Sequence, residues 1–155
     1  MTETVTASTA VSSGDDLLLE RQLCFALSVA SRSVIGAYRP VLEELNLTHP
    51  QYLVMLALWE QSPRTVRGIS EALAMESATL SPMLKRLQAN GLVTRERVPG
   101  NERSLAVGLT DEGRALRERA LSVPGTMLAK LGLTRKQAEE LNRMMRDVIA
   151  AAQGD

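Results

Sequence analysis

The run Ser77-Ala78-Thr79-Leu80-Ser81-Pro82-Met83-Leu84-Lys85-Arg86-Leu87-Gln88-Ala89-Asn90-Gly91 carries the argument about architecture. Leu80, Met83, Leu84 and Leu87 recur at three- and four-residue steps, which lays one apolar stripe along an α-helix. Thr79, Ser81, Pro82, Lys85 and Arg86 fall mostly outside that stripe, with Ser77 at the start. The spacing predicts a helix over about 78–90, closed by Gly91. Pro82 lies past the positions where proline is free, so it costs one backbone bond or slightly distorts the first turn. It also leaves that face smooth and narrow.

Working outward, a short helix is predicted from about Val66 to Ala74, followed by a turn at Met75-Glu76-Ser77. On the other side Leu105, Val107 and Leu109 alternate with Ser104, Ala106 and Gly108, the period of a β-strand. Val93 to Val98 is a partner strand, and Pro99-Gly100-Asn101-Glu102 supplies the turn between them. Short helix, tight turn, helix and hairpin, in that order, make a winged helix-turn-helix, mainly α with a small β-hairpin wing. In that motif the second helix enters the major groove of double-stranded DNA. The hydroxyls of Ser77, Thr79 and Ser81 can approach bases or phosphates closely, and Lys85 and Arg86 reach further. Arg95 and Arg97 on the hairpin are candidates for phosphate contact, and Arg103 near its tip is a candidate to enter a minor groove.

Charge placement agrees. The 155 residues carry no net charge, yet between Lys85 and Arg103 five basic side chains face only two acids, Glu96 and Glu102. The first 20 residues hold four acids and no Lys or Arg. Hydrophobic residues make up 45% but aromatics only 3%, so the core must be filled by aliphatic side chains, as in packed helices. With one histidine, one cysteine, no glycine-rich phosphate loop and no metal-ligand cluster, the residues argue against an enzyme and call for no metal or cofactor. No apolar run reaches 18 residues and the N-terminus has no secretory pattern, so no membrane association and a cytoplasmic location are expected. A single cysteine cannot form an internal disulfide.

The flanks read as helices around this centre. Residues 1–14 are expected to be a disordered tail. A helix from Leu17 to Tyr38 carries an apolar stripe through Leu23, Ala26, Leu27, Ala30, Val34, Ala37 and Tyr38. Pro40 is expected to interrupt it before a short helical piece, Val41 to Leu45. Thr48 and Gln51 have capping-box spacing ahead of an apolar helix, with Pro50 in its first turn, and Ser62-Pro63-Arg64 stops it. After the hairpin two helices are expected, one capped by Thr110 and one, to about Ala152, by Thr134 and Gln137. The stripe Leu141, Met144, Met145, Val148, Ile149 and Ala152 on the last needs a partner. The division expected is therefore 15–47 as an N-terminal dimerisation helix and connection, 48–110 as the DNA-binding domain and 111–155 as C-terminal dimerisation helices.

Several blocks resemble the MarR family of regulators, and within it the OhrR-type organic hydroperoxide sensors. They are Gln22-Leu23-Cys24-Phe25, Leu47-Thr48-His49-Pro50-Gln51-Tyr52-Leu53, Leu80-Ser81-Pro82-Met83-Leu84-Lys85-Arg86, Asn101-Glu102-Arg103-Ser104 and Val123-Pro124-Gly125-Thr126. The resemblance spans roughly Leu19 to Ala150. It implies a homodimer on a pseudo-palindromic operator, acting as a repressor. It further implies that Cys24 is a redox sensor, oxidised by organic hydroperoxide to a sulfenic acid and then trapped by a small cellular thiol, as a sulfenamide or by overoxidation. The family surrounds the sulfur with tyrosine hydroxyls, partly from the partner subunit. Tyr38 matches one of these; His49 stands where another is usual and Ser28 replaces a third aromatic. A His49 imidazolium would favour thiolate. Asn101 stands where the family's wing often has aspartate. The alternative the family allows is release from DNA by a small aromatic ligand, with Cys24 a structural residue.

Overall fold

The computed structural model describes residues 14–154, apart from the side chains of residues 102 and 103. The tail expected over residues 1–14 lies outside the described residues except for Gly14, which opens a 3-10 turn. The chain divides between Gly36 and Ala37 into two compact units.

In the first unit the 3-10 turns Gly14–Leu17 and Leu19–Arg21 precede α1 (Leu23–Glu43). The helix expected from Leu17 thus starts at Leu23. The Gln22 amide explains the delay: its Nε2 donates to the carbonyls of Asp16 (2.6 Å) and Leu18 (2.9 Å), acceptors that a continuous helix would have used for its own ladder. None of the described residues of this unit is buried, and Leu17, Leu19 and Leu23 are more than half exposed.

Pro40 does not interrupt α1, which runs through it to Glu43. The carbonyl left without its amide partner belongs to Gly36, which lacks a Cβ and lets the turn relax. Burial also drives the last turn, because Leu42 is fully buried. In the second unit, α2 (His49–Glu60) starts at the Thr48–Gln51 capping box, with the Thr48 N–H donating to Gln51 Oε1 at 3.0 Å and the Gln51 N–H to Thr48 Oγ1 at 3.3 Å. The two-residue strand β1 (Arg64–Thr65) leads into α3 (Val66–Leu73), and Thr65 caps that helix by accepting from the Gly68 N–H. Ala74 takes φ 51°, and the Met75 N–H returns to the Ser70 carbonyl at 3.0 Å, forming the tight turn before α4 (Ser77–Ala89).

Strands β2 (Val93–Val98) and β3 (Asn101–Leu109) form the expected hairpin. β1 joins its far side, giving an antiparallel sheet ordered β1-β3-β2. Three helices follow rather than the expected two: α5 (Asp111–Ala120), α6 (Val123–Leu131) and α7 (Arg135–Gln153). Pro124 is the physical reason, since it has no N–H for the Ala120 carbonyl and sits in the first turn of α6.

The core is built on Leu42, Met55, Leu58, Ile69, Leu80, Leu84, Leu87, Val93 and Val107, all at most 2% exposed. Leu116, Ala120, Val123 and Met127 complete it, so the core of the winged region draws residues from α1, α5 and α6 as well. Trp59 Nε1 donates to the Gly113 carbonyl at 2.8 Å and pins α5 to α2. By contrast α7 has no buried residue, and Leu141, Met144, Val148 and Ile149 are 40–67% exposed. No helix among the described residues is long and apolar enough to cross a membrane.

Candidate nucleic-acid interface and thiol site

Burial of Leu80, Leu84 and Leu87 fixes the roll of α4 and leaves its other face outward. Ser77, Thr79, Pro82, Lys85 and Arg86 are exposed there, and Ser81 is half-buried with its Oγ donating to the Ser77 carbonyl at 3.0 Å. The helix accommodates Pro82 without a break. Two long cations therefore stand beyond a first turn of small hydroxyls, an arrangement suited to phosphate and base edges in a groove.

The wing continues this surface. Val93, Arg95 and Arg97 alternate onto one face of β2: Val93 is buried, Arg95 half-buried and Arg97 exposed. Arg95 Nε donates to Gln88 Oε1 on α4 at 2.7 Å. Between the pairs Arg97–Leu105 and Val98–Asn101 the register shifts, so residues 102–104 have no counterpart on β2 and form the irregular tip. Arg103 belongs to this tip; its side chain lies outside the described residues. Gly100, at φ +80°, makes the turn, and Asn101 Nδ2 donates to Ser104 Oγ at 3.0 Å across the base of the tip. A cleft of about 450 Å³ lined by Thr65, Val66, Arg67, Ser77, Ser104 and Leu105 runs between α3, α4 and the wing. Thr65 and Arg67 at this surface are not among the residues the sequence singles out. Thr65, three residues before Gly68, is the one with a local signal, as a helix cap.

Cys24 stands in the first turn of α1 as a free, exposed thiol. In the second unit Tyr38 and His49 come together, their rings edge-on with centroids 5.6 Å apart, and Tyr52 packs on Tyr38 at 6.0 Å. Tyr52 is not among the site residues the sequence singles out, because it falls within the continuous apolar run of α2. Burial raises the pKa of Tyr38, and burial followed by the neighbouring Tyr38 phenol raises that of Tyr52. Both phenols therefore remain hydrogen-bond donors at neutral pH. Burial lowers the pKa of His49. The expected imidazolium is thus replaced by a neutral imidazole at neutral pH, since the half-buried ring sheds its charge rather than lose hydration.

That shift has a measurable sign. The stability that the neutral imidazole carries is fully present above the unfolded-state pKa and is lost as pH falls through the lower folded-state value. Between about pH 7 and about pH 5 the thermal midpoint of the wild type should fall further than that of His49→Gln. Equal falls in a melting series would show that His49 titrates alike in both states.

Among the described residues no cluster of His, Cys, Asp or Glu could hold a metal ion. The fold and the cationic helix face define a winged-helix DNA-binding regulator, and comparison with known proteins gives its family. The MarR family signature matches residues 47–105. The chain is 45% identical over 130 residues to the organic hydroperoxide resistance transcriptional regulator of Bacillus subtilis, covering 84% of this chain and 86% of that protein. Among solved structures, reduced AbfR bound to DNA aligns with a TM-score of 0.68 and 37% identity, covering 84% of this chain and 96% of that one. The disulfide-formed AbfR aligns at 0.63 with 36% identity, over 84% and 92%; AbfR is a Staphylococcus epidermidis protein. The chain belongs to the MarR family and is a DNA-binding transcription regulator, not an enzyme.

Proposed function

We propose that this chain acts in the cytoplasm as a homodimeric repressor that leaves its operator when organic hydroperoxide oxidises Cys24. The observation that carries the reading is the exposed Cys24 thiol at the head of α1, in a chain 45% identical to a regulator named for organic hydroperoxide resistance. Solved structures of AbfR in reduced, disulfide-formed and overoxidised forms add a related protein whose sulfur changes state. The uncovered apolar residues of α7 and of residues 17–35 support a second copy, because such surface is costly to leave in water. In this reading the Tyr38 phenol and His49 imidazole that serve Cys24 are those of that second copy.

In this reading Ser77, Thr79, Ser81, Pro82, Lys85 and Arg86 meet the major groove, Arg95 and Arg97 flank it, and Arg103 enters the minor groove. The thiolate attacks the distal peroxide oxygen and the O–O bond breaks. Cys24 becomes a sulfenic acid while the alkoxide takes a proton and leaves as an alcohol. A small thiol then condenses with the sulfenic acid, forming a disulfide and releasing water. A second reading, release by a small aromatic ligand, has its own support. A pocket of about 290 Å³ is lined by Tyr52, Leu56, Trp59, Glu60, Arg117, Ala120, Leu121 and Pro124, which offers aromatic walls with one guanidinium and one carboxylate.

Salt titration tests the DNA-binding surface. Wild type should bind as two chains per duplex, and Lys85→Ala should flatten the log K against log salt slope by about 1.8, or 0.9 for one phosphate contact in each subunit. An unchanged slope would remove Lys85 from the interface.

A further inference from the structure

We propose that Arg95 is a positioning residue, which locks the wing to the end of the recognition helix α4 through Gln88 and so sets the angle at which both meet an operator. The inference deepens the DNA-reading function proposed above and rests on it.

Arg95 is the third residue of β2 and pairs with Val107, which is fully buried on β3. It shares its strand face with Val93, which is 2% exposed, so its stem lies toward the core before its head reaches α4. There the guanidinium Nε–H donates to Gln88 Oε1 at 2.7 Å, the short end of the range for a charge-assisted bond. Gln88 lies in the last turn of α4, beside the fully buried Leu87. Its amide is thus held on a helix that cannot roll without emptying the core.

The base of the wing has other ties. The Leu92 N–H donates to the Leu87 carbonyl at 3.0 Å, and Thr110 Oγ1 donates to the Gly91 carbonyl at 2.6 Å. Both lie at the foot of the hairpin, where Gly91 with φ +78° reverses the chain. Among the described residues, the Arg95–Gln88 bond is the side-chain link between β2 and α4 nearest the tip. Past Arg97 the strand pairing becomes irregular. β1 holds the β3 side of the hairpin at Val107 and Ala106, and on the β2 side the Arg95–Gln88 bond is the tie that fixes the angle of the wing to α4.

A guanidinium so placed could instead serve as a direct phosphate ligand, and the two roles separate in a salt series. Wild type, Arg95→Ala, Gln88→Ala and the double variant are compared on the best duplex that wild type selects from a random-sequence library, and on a scrambled duplex. Positioning predicts that each single variant weakens binding to the selected duplex about tenfold and that the double variant is no weaker than either, because both break one bond. It also predicts that Gln88→Ala, which removes no charge, binds the scrambled duplex like wild type and keeps the salt slope. Melting midpoints should stay within about 2 °C, which separates positioning from loss of fold. The proposal is overturned if losses add in the double variant, or if Gln88→Ala retains wild-type affinity. It is equally overturned if Arg95→Ala flattens the slope by about 1.8, as for one lost phosphate contact per subunit. Failure of wild type to select any duplex would instead overturn the DNA-reading function itself.

Discussion

Cys24→Ser protein is expected to remain on its operator at an organic hydroperoxide concentration that strips the wild type from it. Serine keeps the size and exposure of the side chain at the head of α1, so folding and reduced-state DNA binding should be unaffected. It cannot form the sulfenic acid, because an alcohol is not a nucleophile toward peroxide oxygen at neutral pH. The wild-type loss should be at least about a hundredfold, or about 2.7 kcal/mol, since paired recognition helices tolerate little change in their spacing of roughly 34 Å. The measurement is a gel-shift or anisotropy titration of both proteins before and after peroxide, with a small thiol present as trap. Mass spectrometry should find the added thiol on wild type and nothing on the variant. Release of both proteins would move the signal away from Cys24. Retention of both, with release by a small aromatic ligand, would favour the pocket lined by Trp59 and Arg117.

The second large effect concerns stability. Gly113→Ala should cost about 3 kcal/mol or more, the upper range for a single substitution. A Cβ at residue 113 would lie 2.1 Å from the Leu92 carbonyl oxygen and 3.3 Å from Leu109 Cδ2. That carbonyl cannot step aside cheaply, because it accepts the Thr110 N–H at 3.2 Å and so closes the base of the wing. Nor can α5 back away freely, since the Gly113 carbonyl accepts from Trp59 Nε1. Thermal or urea unfolding measures the cost, and Trp59 fluorescence reports on the displaced contact. Gly125→Ala is the control: its Cβ meets nothing within 4 Å, so it should lie within about 1 kcal/mol of wild type. A Gly113→Ala protein as stable as that control would show that α5 can shift.

The residues that spoke plainly in the sequence were those whose signal is local. Leu80, Leu84 and Leu87 defined the buried side of α4, Thr48 with Gln51 and Thr134 with Gln137 marked helix starts, and the alternation around Val107 marked the strand. Pro124 was equally legible as a helix break, and the expectation of one long helix there passed over it. Pro40 misled in the opposite direction, because burial of Leu42 outweighs one lost backbone bond.

The sequence alone therefore determined the succession of helix, turn, helix and hairpin, the inward side of the recognition helix, the concentration of basic charge around it and the presence of a single thiol. Each depends on neighbours within about one or two turns or on composition, and needs no tertiary contact. Tertiary structure alone decided that Arg64 and Thr65 become a third strand against β3, that Tyr52 joins Tyr38 and His49, and that Arg95 finds Gln88. A two-residue strand has no periodicity to read, and the rings meet because a helix end and a helix start pack together. The partner of a long cation depends on what the folded surface brings within reach of its head.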